Sequence, residues 1–167
     1  MSPESLTPES LTPESLGLRA ELTSPSSWPA DELIGEMLDE IVSIYDLPGR
    51  PSLAELDPSE MEAPAGAYVV LWSGAQAVAG GGFRRLEERV GEIKRMYVRP
   101  LHRGKGVARV LLGALEQRAR ASGYGAIRLD TGPRQPHAQR LYERCGYRAI
   151  GNYNASAYAS FWGEKPL

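Results

Sequence analysis

The sequence contains a single cysteine, two histidines and two phenylalanines in 167 residues. One cysteine excludes an internal disulfide framework and is typical of a reducing compartment. Lys and Arg number 19 against 21 Asp and Glu, so the basic surplus of a general nucleic-acid binder is missing. No apolar run reaches the ~18 residues of a membrane span, and no signal-peptide pattern opens the chain. We therefore expect a cytoplasmic protein without a nucleic-acid or membrane partner.

The composition is that of one globular domain, preceded by a repetitive segment. Hydrophobic residues make up 42% and charged residues 24% of the chain, which is enough apolar material for a core. Residues 2–6, 7–11 and 12–16 repeat almost perfectly, each unit with one proline and one leucine. A period of five fits neither helix nor strand, and so little apolar surface cannot offset the entropy of ordering. We predict a disordered tail over 1–16 and a folded domain over 17–167, with a recognition tail as the alternative.

Periodicity in the first half predicts a strand, a helix and then antiparallel strands. A strand is predicted over 18–23, followed by helix-capping serines at 24–27 and a helix whose apolar stripe runs from Ile34 to Tyr45. Residues up to about Gly66 are predicted to form a loop or a short helix. Further strands are predicted over 68–72, 75–83 and 90–98, the first two joined by a tight turn at Ser73-Gly74.

The second half alternates helices with strands. Apolar residues at helical spacing predict a helix from Val107 to about Ser122, followed by a strand over 127–131. Pro136 is suited to the first turn of another helix, which Gly146 closes. Final strands are predicted over 147–150 and 158–165. This alternation favours a parallel crossover inside a mixed sheet.

A glycine-rich turn joins the strand over 90–98 to the following helix. Pro100 ends strand pairing, and Gly104 and Gly106 leave no Cβ between the backbone and a ligand. The first N–H groups of the helix lack acceptors and lie at its positive end, so a diphosphate can bind there, with Arg103 and Lys105 adding charge. A plain strand-to-helix turn with solvated basic residues is the alternative. Neither a Walker A loop nor a Rossmann fingerprint matches the spacing.

Two ordered motifs resemble the GCN5-related N-acetyltransferase (GNAT) superfamily. Residues 103–108, Arg-Gly-Lys-Gly-Val-Ala, resemble its acetyl-CoA loop, and residues 96–100 resemble the bulged strand before that loop. Residues 135–147 resemble the second signature, with Gln135 where asparagine is usual. The resemblance implies an α/β acyl-CoA N-acyltransferase fold. Its central sheet is mostly antiparallel, with a parallel splayed pair and flanking helices.

The same resemblance implies direct transfer of an acetyl group from acetyl-CoA to an amine. It implies Glu92 as the general base, the backbone N–H of Val98 as donor to the thioester oxygen, and Tyr142 as the acid that protonates the leaving thiolate. A surface carboxylate on an edge strand, a water chain as base and a core tyrosine are the alternatives. The implied cofactor-binding residues are Met96, Tyr97, Val98, Arg103, Gly104, Lys105, Gly106, Val107, Ala108 and Gln135.

The acceptor is expected to be a small primary amine. A protein or peptide amine is one alternative, and a non-catalytic acyl-CoA sensor is another. Tyr153, Tyr158 and Trp162 either line the acceptor pocket or pack on the sheet, and a cleft role for Arg84 or Arg85 stays open. The two histidines lack ligand spacing, so no metal is expected. The oligomeric state is expected to be a monomer or a homodimer.

Overall fold

The computed structural model describes residues 11–50 and 56–167, and within these ranges three helices flank a seven-stranded sheet. The helices are α1 (Ala30–Tyr45), α2 (Val107–Ala121) and α3 (Pro136–Arg144). The strands are β1 (Arg19–Leu22), β2 (Ala67–Ser73), β3 (Gln76–Glu87), β4 (Val90–Val98), β5 (Ala126–Thr131), β6 (Arg148–Ala149) and β7 (Phe161–Pro166). The predicted elements are therefore present, although β3 continues past its predicted end at Phe83.

The sheet has one parallel pair among antiparallel ones, as predicted. Its strand order is β1-β2-β3-β4-β5-β7-β6, and only β4 and β5 run parallel. Their pairing covers three residue pairs, from Val90↔Ala126 to Glu92↔Arg128. Beyond Glu92 the two strands separate, which opens a gap that we call the β4–β5 opening.

Two apolar cores lie on opposite faces of the sheet. On the α2 face, Leu111 and Leu115 of α2 pack with alternate strand residues, including Phe83, Ile93 and Ile127. On the α1 face, Leu33 and Leu38 of α1 pack with the intervening residues of the strands. Because successive side chains of a strand point to opposite faces, the neighbours of Phe83, Ile93 and Ile127 lie on the α1 face.

Three of these neighbours, together with Glu164 of β7 and Arg148 of β6, form a row of alternating charge across the sheet. Strand register places Arg84 beside Glu92, Glu92 beside Arg128, Arg128 beside Glu164 and Glu164 beside Arg148. Two of the steps are ion pairs, Arg84 Nε–Glu92 Oε1 at 3.0 Å and Arg128 Nε–Glu164 Oε2 at 2.6 Å. We call this set the charged row. It passes the end of the parallel pairing, where the β4–β5 opening begins.

The last repeat unit of the N-terminal segment has a defined conformation, which corrects the predicted disorder for residues 11–16. Glu14–Leu16 form a 3-10 turn that Gly17 ends in the left-handed region, and Leu11 and Leu16 pack against the α2-face core. The two leucines, five residues apart, both contact the domain, which the five-residue period of the sequence did not predict. Residues 1–10 of the predicted tail lie outside the described residues.

Helix α1 begins later than the serines at 24–27 indicated. Its N-cap position is Pro29, which makes no side-chain capping bond, so the predicted serine cap is wrong. The Ser27 carbonyl instead accepts the Asp31 N–H at 3.1 Å. The region before Gly66 contains the short 3-10 helix Pro58–Met61, capped by the Asp57 side chain.

Candidate active site

A β-bulge in β4 lies beside the β4–β5 opening. Pairing steps from Gly82↔Lys94 to Gly80↔Tyr97, so Arg95 and Met96 both oppose Gly81. Arg95 has φ 61°, and a Cβ on Gly81 would lie 3.2 Å from Met96 Cα. The glycine therefore leaves the space into which the extra residue of β4 bends.

The backbone N–H of Val98 lies on the edge of β4 that faces the opening. The N–H of Arg99 bonds to Val78 of β3, so the preceding residue directs its N–H and carbonyl to the other edge of β4. The Val98 carbonyl on that edge accepts Arg103 Nε at 2.8 Å. Because β5 has already separated from β4, the Val98 N–H has no strand beside it. The predicted donor is therefore outside the strand pairing, and the extra residue that the bulge inserts at Arg95 and Met96 sets which edge of β4 the Val98 N–H faces.

The loop before α2 presents a series of unpaired amides. Among the described residues, no acceptor binds the N–H groups from Gly104 to Arg109, and the first helical bond is Val110 N–H to Gly106 carbonyl at 3.1 Å. Gly104 and Gly106 have φ of 74° and 84°, a region that side-chain-bearing residues rarely adopt. Residues 103–106 are exposed. These amides, at the positive end of α2, form a site for an anion such as a diphosphate.

Arg103 is engaged with helix α1, in contrast to the predicted role of its charge at the diphosphate. Its guanidinium forms a two-point ion pair with Glu40 and lies 5.5 Å above the ring of Tyr97. Lys105 remains exposed, and its Nζ donates to the Leu101 carbonyl at 3.3 Å. The loop therefore offers backbone amides and one lysine, while Arg103 fixes the loop to α1.

The other predicted cofactor residues fall into two groups. Met96, Val98, Val107 and Ala108 belong to or pack against the α2-face core, so the last two offer only their amides to a ligand. Tyr97 lies in the core on the α1 face. The side-chain oxygen of Gln135 accepts the Tyr45 hydroxyl at 3.3 Å, a contact with α1 that the motif did not indicate.

Tyr142 lies in the α2-face core together with Val98. It is 8% exposed, and its ring centroid lies 5.9 Å from that of Tyr147. Burial, with the charges of Asp130 and Cys145 adding to it, raises the pKa of Tyr142 to about 12. Within residues 11–50 and 56–167 its hydroxyl makes no hydrogen bond. The residue is thus both a core tyrosine and a protonated phenol without a partner.

Glu92 is fully buried in the centre of the sheet, so the alternative of a surface carboxylate on an edge strand is wrong. Its side chain is 0% exposed, at the last residue of β4 that pairs with β5. One oxygen, Oε1, lies 3.0 Å from Arg84 Nε and 3.4 Å from Lys94 Nζ. The other, Oε2, lies 3.5 Å from Asn154 Nδ2. Of the two arginines for which the sequence left a cleft role undecided, Arg84 is the one that contacts Glu92.

The sequence did not single out Asp130 or Asn154. Asp130 follows Arg128 on the same face of β5, and its carboxylate accepts a hydrogen bond from Asn154. Asn154 lies between β6 and β7, where no periodicity marks a functional residue. Next to it, the buried hydroxyl of Tyr153 has no hydrogen-bond partner among the residues that the structure describes, and burial and the charge of Glu92 raise the pKa of this tyrosine. Tyr158 is 76% exposed.

An anion site at a helix N-terminus beside a separated parallel pair, with a buried carboxylate across the sheet, is the arrangement expected of an acyl-CoA N-acyltransferase fold. The family model described as Acetyltransferase (GNAT) family matches residues 35–147. The chain belongs to this family. A crystal structure of a putative acyl-CoA N-acyltransferase from Klebsiella pneumoniae superposes with a TM-score of 0.74 and 28% identity, covering 91% of this chain and 99% of that one.

Proteins similar to this chain in sequence are named as acetyltransferases. The chain is 30% identical over 125 residues to the uncharacterized N-acetyltransferase YsnE of Bacillus subtilis, which covers 71% of this chain and 83% of that protein. It is 40% identical over 80 residues to the IAA acetyltransferase of Azospirillum brasilense, over 46% of this chain. That match spans about half, 52%, of the Azospirillum protein.

Across residues 11–50 and 56–167, no group of three His, Cys, Asp or Glu side chains is arranged to hold a metal ion. None of the helices in this part of the chain is long and apolar enough to cross a membrane.

Proposed function

We propose that this protein transfers the acetyl group of acetyl-CoA directly to a primary amine of a small molecule. The observation that carries the proposal is the run of unpaired amides from Gly104 to Arg109, next to the Val98 N–H that points into the β4–β5 opening. The first feature suits a diphosphate, and the second suits a carbonyl oxygen that gains negative charge.

The residues present fit acetyl-CoA. The amides of the loop and the charge of Lys105 would hold the diphosphate, and the opening between the strands would admit the arm that ends in the thioester. The coenzyme supplies an acetyl group activated as that thioester. The N–H of Val98 is placed to donate a hydrogen bond to the acetyl oxygen, since neither β3 nor β5 uses it.

Glu92 is proposed to receive the proton of the acceptor amine. An alkylammonium with a pKa near 10 is about a thousandfold protonated at pH 7, so a base must act before the nitrogen can attack. Arg84 and Lys94 both bind Oε1, which leaves Oε2 as the oxygen that takes the proton, directly or through a water molecule.

Tyr142 is proposed to donate a proton to the leaving sulfur. Its raised pKa of about 12 keeps the phenol protonated at neutral pH, and its hydroxyl has no competing acceptor among the described residues. A small acceptor is favoured because Glu92 is 0% exposed and Asn154 Nδ2 lies 3.5 Å from its Oε2, which leaves little room for a bulky amine.

Thiol release from acetyl-CoA, measured with amino acids, polyamines, aminoglycosides and peptides as acceptors, tests the proposal. We expect turnover with at least one small amine. Turnover with peptides alone would replace the small acceptor by a protein amine. Coenzyme binding without turnover on any acceptor would overturn the enzymatic proposal in favour of an acyl-CoA sensor.

Two variants test the assigned residues. Glu92→Gln and Tyr142→Phe should each lose turnover and still bind acetyl-CoA, measured by titration calorimetry. Tyr158→Phe is the matched control, because this tyrosine is 76% exposed and should keep the full rate. Full activity in both Glu92→Gln and Tyr142→Phe would show that the base and acid are assigned wrongly.

A further inference from the structure

Asn154 bridges two carboxylates on the α1 face of the sheet. Its Nδ2 donates one hydrogen bond to Asp130 Oδ2 and a longer one, at 3.5 Å, to Glu92 Oε2. The two acidic residues lie on different strands, β5 and β4, at the point where these strands separate. The amide of Asn154 therefore spans the base of the β4–β5 opening.

The orientation of this amide is fixed by its other end. The Asn154 Oδ1 accepts the indole N–H of Trp162 at 3.0 Å and the backbone N–H of Ser156 at 3.2 Å. An asparagine side chain has two donors and two acceptor lone pairs, and here all four are used. A flipped amide would set its oxygen against two carboxylates and its N–H groups against two donors. Only the observed orientation satisfies every partner.

Two like charges at this position need such a bridge. The Arg84 and Lys94 contacts with Glu92 are to Oε1, at 3.0 and 3.4 Å, and in the described part of the chain no cation forms an ion pair with Asp130. Glu92 is fully buried and Asp130 is partly buried, so their negative charges are only partly screened by solvent, and a shared N–H donor offsets part of the repulsion. The donor also fixes the side-chain torsions of both acids.

Building on the proposed function, we infer that Asn154 is a positioning residue for the general base. Its amide holds Glu92 and Asp130 side by side, with Oε2 of Glu92 directed toward the acceptor amine. Trp162 acts one step further out, by orienting the amide. The segment between β6 and β7 thus completes the base, whose other contacts come from β3 and β4.

The substitution Asn154→Asp tests this inference with almost no change of shape. Aspartate keeps an oxygen for Trp162 and Ser156 but replaces the N–H donor by a third negative oxygen. We expect kcat to fall about a hundredfold, because the base loses its position, while the KM for acetyl-CoA changes less than twofold. Asn154→Ala and Trp162→Phe remove the donor and its orienting partner, and should lower kcat about tenfold.

Asn152→Asp is the matched control. This exposed asparagine lies in the same segment and donates only to the Ser156 carbonyl, so the same change of charge should leave kcat within twofold. The indole 1H–15N resonance of Trp162 provides a readout without turnover. It should shift in Asn154→Ala and stay in place in Asn152→Asp.

Three outcomes separate this inference from the proposed function. If the wild type turns over and Asn154→Ala has an unchanged or higher kcat, the inference is overturned but the proposed function is not. Asn154 would then only block access to Glu92. An unmoved indole resonance in the active enzyme would overturn it as well. Absence of wild-type turnover on every acceptor would overturn the proposed function, and the role of Asn154 in positioning the base with it.

Discussion

Arg103 and Glu40 form a two-point ion pair, with Nη1–Oε1 at 2.7 Å and Nη2–Oε2 at 2.9 Å. The same guanidinium donates its Nε–H to the Val98 carbonyl at 2.8 Å. Helix α1 thereby holds the loop whose amides are proposed to bind the coenzyme. Because the cation is already paired, Arg103 acts on the shape of the loop.

Glu40→Ala should weaken acetyl-CoA binding by up to about fivefold, since a partly exposed ion pair contributes about 1 kcal/mol or less. Titration calorimetry measures the change. Asp39→Ala is the control. Asp39 lies on the same helix as Glu40 and also forms a two-point ion pair, but its partner is Arg50 and not the loop before α2. Tighter binding in Glu40→Ala would mean that the released Arg103 binds the phosphates itself.

Gly106→Ala should reduce coenzyme binding through the backbone. A residue with a side chain costs about 1–2 kcal/mol in the left-handed region, where Gly106 has φ 84°. The added Cβ itself would meet Leu16 at an ordinary 3.7 Å, so the strain comes from the torsion. We expect a smaller rise in melting temperature on addition of acetyl-CoA.

Gly113→Ala serves as the matched substitution for Gly106→Ala. Gly113 lies within α2, and a Cβ there meets nothing within 4 Å. Alanine should therefore stabilise the protein by about 0.5–1 kcal/mol and leave coenzyme binding intact. An undiminished response to acetyl-CoA in Gly106→Ala would contradict the assigned diphosphate site.

Leu16→Ala should destabilise the domain even though it lies in the repeat. The side chain packs against the α2-face core beside the coenzyme loop. Because it is only partly buried, we expect a loss of about 1–2 kcal/mol in the free energy of unfolding, less than for a fully buried leucine. Urea denaturation measures it. Leu22→Ala, at a leucine that is 49% exposed on edge strand β1, should change little. If the two variants are equally stable, Leu16 does not stabilise the domain, and residues 11–16 belong to the disordered tail that the sequence predicts.

Tyr142→Phe should make the protein less sensitive to alkali. The pKa of Tyr142 is raised to about 12 in the folded protein, above the ~10 of an unfolded tyrosine. Its contribution to stability is therefore complete below pH 10 and is lost as the pH rises through 12. When the pH is raised from 8 to 11, the free energy of unfolding measured by urea denaturation should fall by about 1 kcal/mol less in Tyr142→Phe than in wild type. Tyr158→Phe should behave as wild type.

The local parts of the structure were predictable from the sequence. Helix α2 and the turn at Gly104 and Gly106 depend on periodicity and on glycine torsions, which neighbouring residues encode, whereas the separated parallel pair was expected from the resemblance to the family. The same is true of the helix that carries Tyr142. The positions of the candidate acid and of the amide loop therefore follow from short motifs.

The contacts that organise the site were not predictable, because distant segments supply them. Arg103 meets Glu40 across 63 residues, and Glu92 meets Asn154 across 62. Neither partner belongs to a motif, and the segment between β6 and β7 has no period to interpret. The burial of Glu92 likewise depends on the strand order, which places β4 between β3 and β5.

The charged row makes the native register of the strands much more stable than a register shifted by one residue. If β4 slipped by one residue against β3, Glu92 would turn away from Arg84 and enter the apolar layer that Leu111 and Leu115 line. An unpaired carboxylate there would cost several kcal/mol, so misaligned sheets are rejected as they form. The side chain proposed to deprotonate the acceptor therefore also helps the chain to choose its native pairing. Substitutions that retune the chemistry at Glu92 will carry a cost in folding fidelity.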